Sequence, residues 1–218
     1  GSFIIEQCIH GEEFAVDAYY SSTGEPVVVG ILKHLFSSDQ DVRDRVYTTS
    51  KAIIEDNLEE FTAFVGDIGK LVGVRNFPVH IELRRDKSGT ILPIEVNPLR
   101  FGGWCTTAEI TASAYGMNPY LAYFRQERPN WPELLDGKEG RLFSIVILDN
   151  STGYEVHEIG AFDYEEMLAT FTKPLELRKI DYTTYPVFGF VFTETKENNQ
   201  QELHTILHSN LREFIVPA

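Results

Sequence analysis

The sequence has few cysteines, no long apolar runs and little positive charge, and each shortage excludes a class of protein. Only Cys8 and Cys105 occur among 218 residues, and neither has Cys-x-x-Cys or metal-ligand spacing. We therefore expect buried thiols in a reducing, cytoplasmic protein rather than a disulfide framework, although a bond between the two stays open. No apolar run approaches the roughly 18 residues of a membrane-spanning helix.

Acidic residues outnumber basic ones by 33 to 19, which gives a formal net charge of −14. This charge disfavours nucleic acid and anionic membranes as partners. It leaves room for a nucleotide, because phosphate binding is local and assisted by a metal ion. With 43% hydrophobic and 24% charged residues, the composition is that of a globular protein.

A predicted hairpin is the segment around which the sequence is organised. Residues 79–85 and 91–97 alternate in polarity, and Ser88-Gly89 between them predicts a turn. Side chains of such strands point alternately to the two faces of the hairpin. One face is then apolar, and the other carries charged and polar groups.

The polar face of this hairpin brings two glutamates together. Centring the pairing on the turn places Glu82 opposite Glu95 and His80 opposite Asn97. Like charges directly opposed in an antiparallel pair repel each other, and a divalent cation between them would remove the repulsion. Two carboxylates and an amide oxygen suit Mg²⁺ or Mn²⁺. The alternative is an amphipathic hairpin whose acids face water, and the pairing alone does not decide between the two.

An arginine and two glycines follow, where the chain leaves the second strand. Arg100 offers a bidentate partner for phosphate or carboxylate. Gly102 and Gly103 permit close approach of the backbone to a ligand. These residues favour the ligand-binding interpretation.

The order His-x-Glu, Glu-x-Asn-Pro and Arg-x-Gly-Gly resembles the metal-binding end of ATP-grasp enzymes, most closely the amino-acid ligase and carbamoyl-phosphate-synthase-like branches. The resemblance implies that Glu82, Glu95 and Asn97 hold Mg²⁺ on ATP. The common form of the last motif is Asn-Pro-Arg, and this chain has one additional residue, Leu99, before the arginine.

The same resemblance implies roles for the residues around the metal. Arg100 would steady an acyl phosphate or a substrate carboxylate. Gly102 and Gly103 would offer N–H groups to the same anion. His80 would orient the substrate or support the metal shell.

A second segment, residues 6–13 with the pattern Glu-x-x-Ile-x-Gly-x-Glu, resembles the ATP-grasp hinge that carries adenine. The resemblance implies that its last residue, Glu13, binds the ribose hydroxyls. Lys33 would reach a nucleotide phosphate, with a solvated lysine as an equal alternative. The residues implied for the adenine pocket are Glu6, Gln7 and Ile9.

The remaining segments predict supporting structure. Residues 51–73 predict a helix with Ser50 as N-cap and Gly73 as its stop. The polar segment 37–50 predicts a mobile loop. Trp104 would either line the substrate pocket or fill the core, and the core is the preferred assignment. Further predictions are a strand at 3–9, a helix at 105–115, a linker at 128–140, strands at 141–148, 154–159, 175–180 and 187–195, and helices at 164–169 and 202–214.

The predicted fold class is α+β. Residues 1–128 would form the antiparallel sheet and packed helices of an ATP-grasp C-terminal subdomain, and residues 129–218 a small α+β unit. The resemblance covers about residues 3–125 and begins at the hinge. We therefore expect the chain to be the C-terminal portion of a longer protein.

The resemblance implies an ATP- and Mg²⁺-dependent ligase that phosphorylates a small carboxylate, after which an amine or another nucleophile attacks the acyl phosphate. The isolated chain is expected to be inactive and to bind Mg·ATP weakly at most. One alternative is a non-catalytic nucleotide- or metal-binding regulatory module with an ATP-grasp shell, and another is a metal site without nucleotide. The sequence leaves open whether residues 141–218 cover the active site or mediate a homodimer.

Overall fold

The computed structural model describes residues 3, 5, 8–38, 41 and 43–218. Its described part confirms the α+β class: helices pack on an antiparallel eight-stranded sheet, and two further strands form a separate ribbon. None of the helices in this part is long and apolar enough to cross a membrane. The strands are β1 (Glu12–Tyr20), β2 (Pro26–Leu35), β3 (Val46–Ser50), β4 (Phe77–Arg85), β5 (Ile91–Pro98), β6 (Arg141–Asp149), β7 (Ile159–Phe162), β8 (Pro174–Lys179), β9 (Val187–Lys196) and β10 (Ile215–Pro217). The α-helices are α1 (Lys51–Val72), α2 (Thr106–Tyr115), α3 (Pro119–Arg125), α4 (Trp131–Leu134), α5 (Tyr164–Ala169) and α6 (Gln201–His208).

The large sheet has the strand order β5-β4-β1-β2-β3-β6-β9-β8. Strands from both sides of the proposed 128/129 division therefore share one sheet, since β3 pairs with β6. The division into two domains stays a prediction. The ribbon consists of β7 and β10.

Helices α1 and α2 cover opposite faces of the sheet. On one face Phe61 of α1 packs edge-on against Phe14 of β1, with ring centroids 5.1 Å apart. On the other face α2 lies so close to β2 that a Cβ on Gly30 would come within 2.9 Å of the Thr111 hydroxyl. Side chains that alternate along β1 therefore meet either α1 or α2.

Helix α1 begins and ends as predicted. The hydroxyl of Ser50 accepts a hydrogen bond from the Ile53 N–H at 3.2 Å, which satisfies a free donor at the helix start. Gly73 adopts the left-handed conformation at φ 67°, and its N–H donates to the carbonyl of Gly69.

The sheet is strongly curled. Strand β4 is second and β9 is seventh in the strand order, so a flat sheet would separate them by about 24 Å. Nevertheless, His80 of β4 and Phe190 of β9 line one cavity. The curl therefore brings the predicted hairpin face to face with strands from the last third of the chain.

Two predictions of irregular structure are partly wrong. Val46–Ser50, within the predicted loop 37–50, is a buried strand between β2 and β6. A strand buried on both faces shows no polar alternation, which is the signal on which the prediction relied. The predicted linker 128–140 contains α4, whose Trp131 is buried and donates its ring N–H to the carbonyl of Val28 at 3.3 Å.

Other predictions fail at their boundaries. The predicted helix 202–214 ends at His208, because Leu211 takes a positive φ of 60°. A 3₁₀ turn over Val156–Glu158 interrupts the predicted strand 154–159. The strand predicted at 3–9 lies partly outside the described residues, and its last two residues, 8 and 9, are irregular.

The prediction that the two cysteines are buried is wrong. Cys8 and Cys105 are free thiols, and both are exposed rather than buried. Cys105 is exposed because it lies in the turn that precedes α2, where its φ is 63°.

Candidate functional site

The register predicted for the hairpin is confirmed. Glu82 pairs with Glu95, and His80 pairs with Asn97. The turn is closed by the N–H of Gly89, which donates to the carbonyl of Asp86 at 3.0 Å. Gly89 takes a φ of 88°, a conformation that favours glycine.

Strand β1 continues the polar rows of the hairpin. Asp17 pairs with His80, and Ala15 pairs with Glu82. Sequence reasoning did not select Asp17 as a site residue. The available signal was an acid inside an otherwise apolar strand, where a lone charge is costly unless it has partners.

A cavity of about 470 Å³ opens over these rows. Five predicted site residues line it, whereas Asn97 and Gly102 do not. Glu13 and Lys33 lie elsewhere, and Glu6 and Gln7 lie outside the described residues. The five lining residues are His80, Glu82, Glu95, Arg100 and Gly103.

Part of the remaining cavity wall is apolar, and Arg43, Asp44 and Asp149 add charged groups to the lining. Sequence reasoning missed this wall because β6 and β9 are far from the hairpin in the chain. Trp104, assigned to the core from sequence, is 48% exposed and packs edge-on against Tyr185 at 5.1 Å. The apolar wall consists of Trp104, Ile145, Ile147, Val187 and Phe190.

His80 connects the buried side of the sheet to the cavity. Its Nδ1 lies 2.7 Å from the carboxylate of Asp17, and its Nε2 lies 3.5 Å from that of Glu82. Burial opposes the charge, but the hydrogen bonds to Asp17 and Glu82 outweigh burial and raise the pKa of His80 to about 9. At neutral pH the ring is therefore an imidazolium that can donate from both nitrogens.

Asp17 lies behind the cavity and is fully buried. Besides His80, its carboxylate accepts hydrogen bonds from the Gly102 N–H at 3.0 Å and from the Thr107 hydroxyl at 2.5 Å. A Cβ on Gly102 would lie 2.3 Å from that hydroxyl oxygen. Glycine is therefore required here for close packing of the loop on α2.

The loop between β5 and α2 adopts an unfavourable backbone conformation. Leu99, Trp104 and Cys105 have φ values of 63°, 56° and 63°, which side chains other than glycine rarely adopt. The Trp104 carbonyl accepts a hydrogen bond from Arg178 of β8 at 2.6 Å. Strain of this kind persists only where surrounding contacts hold it, and it is concentrated at functional sites.

Three residues that the resemblance implies for nucleotide binding form hydrogen bonds or ion pairs with other residues of the protein. The carboxylate of Glu13 accepts from His34 at 2.9 Å and from Arg84 at 2.7 Å. Burial opposes its charge, but these two hydrogen bonds lower the pKa of Glu13 below its usual value. Lys33 pairs with Glu12, and the carbonyl of Ile9 accepts from Arg84. The roles in nucleotide binding stay predictions.

The predicted metal ligands fit a hard divalent cation. Glu82 and Glu95 are directly opposed, as a shared cation requires. The side-chain nitrogen of Asn97 is buried and has no hydrogen-bond partner among the described residues. Rotating this amide would present its oxygen, which is the atom that Mg²⁺ binds. Groups of three His, Cys, Asp or Glu side chains arranged for a metal do not occur in the described part of the chain, so the amide is needed as third ligand.

The opposed glutamates and the Arg-x-Gly-Gly loop thus lie on one curled antiparallel sheet. Residues 1–108 match the family model of the ATP-grasp domain. This part of the chain therefore belongs to the ATP-grasp family. No curated protein sequence matches the chain.

Solved structures show the same fold over nearly the whole chain. L-amino acid ligase from Bacillus licheniformis superposes with a TM-score of 0.66 and 20% identity, covering 97% of this chain and 55% of that one. N5-carboxyaminoimidazole ribonucleotide synthetase from Thermotoga maritima gives a TM-score of 0.61 and 17% identity, covering 95% and 52%.

A further similar structure contains a nucleotide. The biotin carboxylase domain dimer of Hydrogenobacter thermophilus 2-oxoglutarate carboxylase, solved with MgADP, ADP and bicarbonate, gives a TM-score of 0.55 and 12% identity, covering 98% of this chain and 47% of that one. This chain thus spans about half the length of these solved structures. Identities this low show the shared fold.

Proposed function

We propose that this chain carries the metal and substrate-anion end of an ATP-dependent carboxylate–amine ligase. The observation that supports this most is the convergence of the opposed glutamates and the Arg100 loop on one cavity. In such a reaction ATP phosphorylates a carboxylate, and an amine or another nucleophile then displaces phosphate from the acyl phosphate. Because the chain spans about half of the similar structures, we expect ligase turnover only from a protein that includes more of the domain.

Glu82, Glu95 and Asn97 are proposed to hold Mg²⁺ on the nucleotide. When bound, the metal would neutralise negative charge on the phosphate oxygens. The protonated His80 donates toward Glu82, so it fixes the orientation of that carboxylate in the way that outer hydrogen bonds orient metal ligands.

Arg100 is proposed to bind the substrate carboxylate and the acyl phosphate, because it lines the same cavity as Glu95 and a cation there stabilises negative charge on a ligand. Of the two glycines, Gly103 lines the cavity, while the Gly102 N–H donates to Asp17 and Thr107. We therefore propose Gly103 as the backbone contact to the anion and Gly102 as its support.

The apolar wall supports a substrate with an apolar part next to its carboxylate. Trp104 and Phe190 lie 5.7 Å apart between ring centroids, and both line the same cavity as Arg100. A carboxylate bound by the arginine would place its neighbouring substituent against these rings. An α-amino acid with an apolar side chain meets both requirements.

The alternative function is a non-catalytic module that keeps the ATP-grasp shell. The observation that favours it is the engagement of Glu13, whose carboxylate is buried and paired with His34 and Arg84. A carboxylate held this way is a structural group rather than an open ribose ligand. This module would bind a metal or nucleotide without turning it over.

Paramagnetic titration tests the proposal on the 218-residue chain. Mn²⁺ with a non-hydrolysable ATP analogue should broaden NMR signals around Glu82 and Glu95, even at millimolar affinity. Glu95→Gln should abolish this broadening, whereas the matched change Glu165→Gln on the exposed surface of α5 should preserve it. Broadening that is equal in Glu95→Gln and wild type would contradict the proposed metal site.

A further inference from the structure

We propose that Asp17 is a positioning residue that fixes two walls of the cavity relative to each other. One wall is the His80–Glu82 stretch of β4, and the other is the loop that contains Gly102 and Gly103. The functional consequence rests on the proposed function, whereas the contacts themselves do not.

The carboxylate of Asp17 has three donors on three different elements. One oxygen, Oδ1, accepts from the His80 ring at 2.7 Å and from the Gly102 N–H at 3.0 Å. The other, Oδ2, accepts from the Thr107 hydroxyl at 2.5 Å. These contacts connect β1 to β4, to the loop after β5 and to the start of α2, so four segments meet at one side chain.

The chemistry of these contacts requires a carboxylate. Asp17 is fully buried between the apolar residues Val16 and Ala18, where an ion persists only if it is paired and hydrogen-bonded. Three donors need at least two acceptor oxygens, which asparagine lacks. Its NH₂ group would meet a donor in place of an acceptor.

Asp17 acts through its partners rather than by touching a ligand. It does not line the cavity, whereas His80, Thr107 and Gly103 do. The His80 ring continues toward Glu82 at 3.5 Å, and Gly102 immediately precedes Gly103. Loss of the carboxylate should therefore displace both the metal side and the anion side of the cavity.

Hydrogen exchange in the ligand-free chain tests the contacts. In Asp17→Asn the Gly102 amide should exchange at least 10-fold faster than in wild type, because one of its two acceptors loses its charge and the other, the Thr107 hydroxyl, loses the carboxylate that holds it in place. The matched control Thr193→Val removes a buried strand hydroxyl that donates to the Lys173 carbonyl outside the cavity. It should leave exchange at Gly102 within 3-fold of wild type.

The functional consequence is measured with Mn²⁺ and the non-hydrolysable ATP analogue. Asp17→Asn should weaken binding of this pair at least 10-fold, while Thr193→Val should not. If Asp17→Asn does not fold, Thr107→Val replaces it; this change leaves the carboxylate but removes one of its donors and the hydroxyl oxygen that shares the Gly102 N–H, so it tests the two acceptors of this amide together. Thr107→Ser keeps the hydroxyl and should restore both readouts.

The outcomes separate the two proposals. Unchanged exchange at Gly102 in Asp17→Asn and Thr107→Val would overturn the positioning role. Faster exchange with unchanged Mn²⁺–nucleotide affinity would also overturn it, because Asp17 would then be purely structural. Absence of binding by wild type would overturn the proposed function, while the exchange result would still decide whether Asp17 holds the loop.

Discussion

Two buried charge networks in this protein both reach the cavity, but they differ in how the carboxylate at the cavity is paired. Arg45 is fully buried, and it donates to Asp149 at 2.5 Å and to the carbonyls of Ile206 and Ser209 at 3.1 and 2.5 Å. Asp149 lines the cavity, and two nitrogens of Arg45 donate to its carboxylate. The network of Asp17 and His80 instead reaches the cavity at Glu82, which lies 3.5 Å from the His80 ring.

The Arg45 network joins the start of β3 to the end of β6 and to the end of α6, and the charge of its carboxylate is balanced by a buried arginine. The Asp17 network instead presents Glu82, which lies opposite a second glutamate, Glu95, in the hairpin. An ion pair that is already balanced supports the fold, whereas two opposed carboxylates leave negative charge for a cation. Burial alone does not separate the two networks, but the pairing of the carboxylate at the cavity does.

Arg45→Met should have the largest effect on stability. The substitution leaves Asp149 and two backbone carbonyls without their buried donor, and breaking a buried pair in this way costs about 3–5 kcal/mol. Urea denaturation should show this loss in the free energy of unfolding. A loss below about 1 kcal/mol would contradict the role of the Arg45 network as a structural support.

Gly102→Ala should have the second-largest effect on stability, and it should act on the network of Asp17 and His80. Its Cβ would lie 2.3 Å from the Thr107 hydroxyl oxygen, so we expect a loss of about 2 kcal/mol, typical of overpacking. The control is Gly103→Ala, whose Cβ would have no neighbour within 4 Å. Thermal unfolding of the two variants measures the difference, and equal midpoints would show that the loop is not held against α2.

A third prediction concerns pH and a half-buried ion cluster. Hydrogen bonds from Arg141, assisted by Lys173, lower the pKa of Glu194 to about 2. A depressed carboxyl pKa stabilises the fold above the unfolded-state value of about 4.3 and loses this contribution as the pH falls toward 2. Wild type should therefore lose up to about 2 kcal/mol more than Glu194→Gln between pH 5 and pH 2.

Chemical denaturation across this pH range measures that difference. The substitution removes only the titration of Glu194, so other carboxyl groups contribute equally to both proteins. If the free energies of unfolding of wild type and Glu194→Gln changed with pH in parallel, the ion pairs of Glu194 would contribute nothing to the pH dependence of stability.

Arg128→Ala should have the smallest effect. Arg128 and its partner Glu25 have side chains 58% and 66% exposed, and exposed pairs contribute less than about 1 kcal/mol. This variant gives the baseline for the buried networks in the same denaturation experiment. If Arg128→Ala lowered the free energy of unfolding as much as Arg45→Met, burial could not explain why the Arg45 network is expected to contribute more than an exposed ion pair.

The sequence was sufficient where local patterns decide the structure. Alternation of polarity around Ser88-Gly89 placed Glu82 opposite Glu95, because a turn fixes the register of a hairpin. The cap residues of α1 likewise mark its ends at Ser50 and Gly73. The hairpin motifs, together with the hinge-like segment 6–13, therefore carried the family resemblance, which the family model confirms over residues 1–108.

The sequence failed where burial comes from distant segments. Val46–Ser50 has no alternation because this central strand, hydrogen-bonded to β2 and β6 at its edges, is buried along its whole length, and Trp131 is buried although its neighbours indicated a linker. The role of Asp17 could not be read from an apolar strand, since its donors come from residues 80, 102 and 107.

The amino-acid sequence by itself therefore determined the hairpin, its paired glutamates and the adjoining Arg-x-Gly-Gly loop. Only the tertiary structure decided that β6 and β9 close the cavity, that Glu13 is paired and that Asp17 lies beneath the loop. The physical reason is the range of the interactions involved. Alternation, turns and caps act over a few residues, whereas the curl of an eight-stranded sheet brings together side chains more than a hundred residues apart.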